Sequence, residues 1–135
     1  MTPSELQIYD NMNRLQQVQY LLNAQTALST AQSLYPNLSQ HNDNADAFRH
    51  AYFSLLNVIS LGEGLAESLG NAHEDWPGNP PLERDMDLFN NQAGRDAYQN
   101  WYSVGGSTNA IDIIQDLVDS GQLMIIANGI LVPTN

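Results

Sequence analysis

The chain has no cysteine, no lysine and no long apolar run. Without cysteine there are no disulfides, no thiolate metal ligands and no cysteine nucleophile. Its apolar runs stay short of the roughly 18 residues that a membrane-spanning helix needs. The N-terminus lacks the basic-then-apolar pattern of a signal peptide. Basic charge is scarce: Arg14, Arg49, Arg84 and Arg95 face fifteen acidic residues, for a net charge of -11. Nucleic acid and anionic membrane surfaces are held mainly through Lys and Arg contacts to phosphate, so this balance argues against both as partners. A composition without Cys or Lys but rich in Asn and Gln suits export from the cytoplasm, although no local signal states the route.

What is present fits one domain spanning residues 1–135, large enough to bury a core. Thr2-Pro3-Ser4-Glu5 has the form of a helix start, with Thr as N-cap and Glu closing a capping box. Ile8, Met12, Leu15, Val18 and Leu22 recur at helical spacing, which predicts a first helix over about 3–33. Asp43 or Asn44 caps a second helix running to about Ile59. A third runs over about 63–74 between glycines. After the breaker "DWPGNPP", Asn79 and Pro80 open a fourth helix carrying Leu82, Met86, Phe89, Ala93, Ala97 and Trp101 on one side. Gly105-Gly106-Ser107 stops it and caps a fifth helix over about 108–120. Asn128-Gly129 between two short β-favouring runs signals a hairpin. The expected fold is mainly α: a single-domain bundle of about five helices with a short C-terminal β-hairpin.

Polar residues gather inside this apolar pattern. On the second helix Phe48, Tyr52, Leu55, Leu56 and Ile59 form the core side, while Asp46, His50, Phe53 and Asn57 line another. Asp46 and His50 are four apart, so the carboxylate can orient the imidazole, with Arg49 alongside. On the fourth helix Asp87, Asn91 and Arg95 follow at i, i+4 and i+8, flanked by Asn90 and Tyr98. His73 falls at the margin of an apolar face, beside Glu74. Each group alone reads as a solvated face or a half-buried histidine. Their coincidence in a chain only 14% charged favours a site.

"HNDNADAFRHAYFSLLNVISLGEGLAESLGNAHED" with "NPPLERDMDLFNNQAGR" resembles a small helical domain of bacterial proteins found at the ends of Rhs-repeat and other polymorphic-toxin-like polypeptides, and also as stand-alone chains. The likeness spans about residues 31–102. It rests on a DAFRHAYW-type block, an AHE block and an MDLHNNxxGR-type block. Carried over by position, the matching residues are His41, Asn42, Asp46, Arg49, His50, His73, Glu74, Asp87, Asn90, Asn91, Gly94 and Arg95. Phe53 stands where Trp is commoner and Phe89 where His is usual, so a ligand or base at that histidine would be missing here. The resemblance implies a toxin or effector context, with an immunity protein or a secretion apparatus as partner.

Residue chemistry then suggests a hydrolase on cell-envelope material, lipid or peptidoglycan. His50, oriented by Asp46, acts as base. His73 is the acid, and Asn91 and Arg95 stabilise negative charge. Arg49, Asn90 and Tyr98 bind substrate. In a metal-dependent variant His50, His73 and Asp87 hold a divalent ion. The alternatives are a non-enzymatic binding or cargo module whose polar network is structural, and an acidic inhibitor of a basic toxin.

Overall fold

The computed structural model describes residues 1–106 and 110–135. In chain order the elements are α1 (Pro3–Asp10), α2 (Arg14–Leu34), α3 (Asn44–Leu61), α4 (Glu63–His73), α5 (Pro81–Asp96), α6 (Tyr98–Ser103), α7 (Ala110–Asp119), β1 (Met124–Ala127) and β2 (Ile130–Pro133). The protein is mainly α with a C-terminal hairpin.

The expected first helix is two. The Asn13 side chain accepts from the Gln16 amide at 2.9 Å, and the Gln16 side chain accepts from the Asn13 amide at 3.0 Å. This reciprocal cap starts α2 afresh. The leucines that gave the helical spacing do not face the core. Tyr20, Asn23, Ala27 and Ala31 are buried, while Leu15, Val18 and Leu22 are 82%, 47% and 54% exposed.

Helix α3 is the central element and packs against α2, α4, α5 and α7. Asp43 caps it, accepting from the Asp46 amide at 3.0 Å. Phe48, Ala51, Tyr52 and Leu55 meet Ala27 and Ala31 of α2, Ile114 and Val118 of α7, and Leu123. Leu56 and Ile59 are only partly buried at the edge of this core. Gly62 ends α3 at φ +91°, a conformation that suits glycine, and the chain turns directly into α4.

Helix α5 starts one residue later than expected, with Pro81 in its first turn. The chain bends at Ala97 into the short α6, so the expected fourth helix is divided. Met86 and Ala97 are buried as expected of its apolar side, whereas Phe89 points to solvent. The expected start of the fifth helix at Ser107 and Thr108 lies outside the described residues.

Asn128 and Gly129 take φ +55° and +77°, the mirror-image turn that their types favour, and pair Ala127 with Ile130. A hairpin of this size needs support. The Asn90 side chain supplies it, donating to the Met124 carbonyl and accepting from the Met124 amide, both at 2.9 Å. Among the described residues no helix is long and apolar enough to cross a membrane.

Candidate functional site

Three helices bring their polar residues to one imidazole. Asn42 adopts φ +59°, tolerated by asparagine, and its amide donates to Asp46 Oδ2 at 2.7 Å. One helical turn on, His50 Nε2 lies 3.3 Å from Asp46 Oδ1 and 3.3 Å from Asp87 Oδ1 of α5. On the other side of the ring, Nδ1 is 3.2 Å from Asn91 Oδ1 and 3.5 Å from Glu74 Oε2 at the end of α4. Asn91 Nδ2 donates to Glu74 Oε2 at 3.1 Å. Because a carboxylate accepts, that bond turns the amide oxygen of Asn91 toward His50, and Nδ1 carries the hydrogen. Nε2 is thereby left to the two aspartates.

The electrostatics divide the two aspartates. Burial works against charge on Asp46, but the attraction of His50, the Asn42 amide and Arg49 outweigh it and hold the carboxyl down at about 2. The Arg49 Nη2 donates to Asp46 Oδ1 at 2.7 Å. Burial also opposes charge on His50, yet Asp46, Asp87 and Glu74 together raise its value. Asp87 goes the other way. Burial, reinforced by the nearby Glu74 and Asp46 charges, pushes it up to about 7 despite the pull of His50 and Arg49. Asp87 Oδ1 is also buried and accepts no hydrogen bond.

Asp46, His50 and Asp87 each offer one ligand atom, all within 4.8 Å of one another. Two carboxylate oxygens and one imidazole nitrogen are a donor set suited to zinc or another divalent ion. The Nδ1–H to Asn91 to Glu74 chain is the kind of outer support that orients a ligating histidine.

The ring of His50 is 7% exposed as a residue, and it lines a cavity of about 230 Å³. Arg49 shares this lining, with Tyr20, Leu21, Ala24 and Phe53 as apolar wall.

The structure does not bring every expected residue to this centre. His73 turns to α1 instead: its Nδ1 lies 3.1 and 3.2 Å from the two carboxylate oxygens of Glu5, which also accepts from the Tyr20 hydroxyl. His73 therefore stands across the cavity lining with Glu5, outside the Asp46–His50–Asp87 group. Asn90 is buried and spends both ends of its side-chain amide on Met124, so the structure places it under the hairpin and not beside His50. Arg95 is buried, donates to Gln92 and approaches Glu63 at 3.9 Å. It lines a separate hollow with Val58, Glu63 and Tyr98. Tyr98 stacks loosely near Trp101 and Tyr102, away from His50. His41 is exposed and pairs with Glu83 at 2.9 Å.

Sequence reasoning overlooked Glu5 and Tyr20 as cavity residues. Glu5 carried only a capping signal, which it also fulfils, accepting from the Thr2 amide at 3.1 Å.

Fold and site together define a small helical domain built around one carboxylate-surrounded histidine. Residues 11–122 match the family described as a domain of unknown function, DUF6973, and the chain belongs to it. Neither a curated protein nor a solved structure matches the chain.

Proposed function

We propose that the protein is a hydrolase of toxin or effector type, in which Asp46, His50 and Asp87 hold a divalent cation and the cavity beside them receives cell-envelope material. The observation that carries this reading is the meeting of three ligand atoms within 4.8 Å, one of them the buried Asp87 Oδ1, which accepts no hydrogen bond. A cation there satisfies that oxygen and balances the carboxylates that otherwise crowd His50. Held by Asp46, His50 and Asp87, such an ion would supply Lewis-acid chemistry and a lowered pKa for bound water. Arg49, beside His50 in the cavity lining, stabilises the negative charge that develops on the substrate. The blocks shared with the domain of Rhs-repeat and polymorphic-toxin-like polypeptides support delivery into a target cell, with an immunity protein as natural partner.

One observation favours a structural network instead: His50 is only 7% exposed, and Arg49 with Asp46 and Asn91 with Glu74 are hydrogen-bonded around it. Calorimetry with Zn²⁺ and Mn²⁺ separates the two. The hydrolase reading expects one site per chain, lost in His50→Ala and Asp87→Asn. It also expects wild-type protein, but not His50→Ala, to release acid from lipid vesicles or peptidoglycan and to slow growth when expressed in the cytoplasm or periplasm. Metal binding absent from the wild type, with growth equal for both proteins in both compartments, would sink it.

A further inference from the structure

The outer face of α2 is built backwards for a helix of a small acidic domain. Ala27, Ala31 and Asn23 face the core beside Tyr20, while Leu15, Val18, Leu21 and Leu22 face out. Leu15, Val18 and Leu22 lie on one line, with the exposed Leu21 beside them. Exposed apolar groups in a contiguous patch mark an interaction surface. The charge pattern says of what kind. From Asn11 to Asn42 there is no acidic residue, although the chain has fifteen. It is the longest stretch of the chain without acidic charge.

The cavity opens beside this face. Leu21 and Ala24, one helical turn apart and both exposed, belong also to its wall. Tyr20 and Phe53 share the lining with Arg49 and His50. The Arg49 Nε is buried without an acceptor. A mostly apolar lining whose polar part is Arg49, His50, His73 and Glu5 fits a chain with an oxygen-bearing head better than a sugar or a peptide. An apolar cavity of about 150 Å³ takes a benzene-sized ligand. By that measure, this one of about 230 Å³ takes about nine heavy atoms.

We propose that the outer face of α2 rests on a zwitterionic lipid surface and that the cavity receives an acyl chain of about eight carbons from it. A net charge of -11 disfavours an anionic surface. The inference rests on the hydrolase reading only for the fate of the bound chain, because binding itself requires neither metal nor chemistry.

The test is co-sedimentation with phosphatidylcholine vesicles, together with calorimetry using octanoate. Wild-type protein sediments with the vesicles and binds octanoate. Leu15→Gln/Val18→Gln/Leu22→Gln changes only outward positions and lowers vesicle binding roughly tenfold, with helicity checked by circular dichroism. The single change Leu15→Glu repeats the measurement at the most exposed position. Ala24→Trp fills the cavity mouth, keeps vesicle binding and weakens octanoate binding roughly tenfold. Wild type left in the supernatant, or a triple variant that sediments as well as wild type, overturns the proposal. So does octanoate binding that Ala24→Trp leaves unchanged. A wild-type dimer that the triple variant makes monomeric, without vesicle binding, gives the face to a second copy and also overturns it. Lipid and octanoate binding that survive while hydrolysis is absent remove the catalytic reading and leave this one standing.

Discussion

Gly94 on α5 passes Ala51 on α3 so closely that a Cβ at position 94 would stand 2.1 Å from the Ala51 carbonyl oxygen. That approach sets the spacing between the two helices, and with it the distance from Asp87 and Asn91 to His50. Gly94→Ala must push the helices apart, since the obstacle is backbone. A loss of about 3 kcal/mol in urea unfolding is expected, with weaker metal binding. Gly64→Ala is the control. It sits in α4 with nothing within 4 Å of the added Cβ, and a gain of roughly 0.5–1 kcal/mol is expected.

Asp87→Asn is expected to have opposite effects with and without metal. An acid whose folded value is raised binds more protons folded than unfolded, so its stability contribution falls as pH rises. For Asp87 the window runs from 3.8 to about 7. In EDTA, wild type should lose stability relative to Asp87→Asn across that window, with the variant ahead by about 2 kcal/mol at pH 8. With Zn²⁺ or Mn²⁺ present the order reverses, because only wild type gains from the cation. Unfolding curves that stay parallel from pH 5 to pH 8 in EDTA would contradict the account of Asp87.

The local parts of this fold were legible and the long-range parts were not. Asp43 as the cap of α3, the core side Phe48–Tyr52–Leu55 and the Asn128-Gly129 turn depend on neighbours within a few residues. The break before α2 was hidden because Asn13 and Gln16 interrupt a periodicity that runs on past them. Within the site, Asp46 with His50 and Asp87 with Asn91 follow from helical spacing, and the blocks of the resembled domain repeated them and Glu74. Asn90 stands in the same block yet points elsewhere, since one residue turns a helix by about 100°, whereas Arg95 shares the Asn91 stripe but lies one turn further along the axis, where it meets Gln92 and Glu63. His73 was misplaced for a plainer reason. Its partner Glu5 is 68 residues away, and no spacing rule reaches that far.

Asn23 ties α2 to α3 where leucines would be expected. Its Nδ2 donates to Asn57 Oδ1 and to Ser60 Oγ, both at 2.8 Å, while Gln19 donates to its Oδ1 at 2.8 Å. Asn23→Ala strands the buried Asn57 oxygen. A loss of about 1–3 kcal/mol is expected in urea unfolding. Pairing it with Asn57→Ala should recover part of that loss, and a strictly additive double variant would show that the two amides act independently.

The Glu5–Tyr20–His73 group should make the attachment of α1 acid-labile. Burial opposes charge on Glu5, but hydrogen bonds from His73 and Tyr20, the His73 charge and the Thr2 amide outweigh it and lower its value below 4.5. A carboxyl depressed in this way contributes stability above its unfolded value and loses it as pH falls through the folded one. Tyr20 moves in the complementary direction, raised by burial and by Glu5. Glu5→Gln keeps the shape and removes the charge, so it should cost about 2 kcal/mol at pH 7 and progressively less as pH falls below 4.5. Hydrogen exchange locates the effect: amides of Leu6 and Asn11, bonded to Thr2 and Ile8 in wild type, should lose protection in the variant at pH 7. Wild type should show the same loss on acidification, because α1 docks on α4 through this group and through the Thr2 hydroxyl on the Ala72 carbonyl at 2.6 Å. Equal protection of α1 at pH 7 in Glu5→Gln and wild type would show that the hydroxyl contact and the apolar packing hold the helix without the carboxylate.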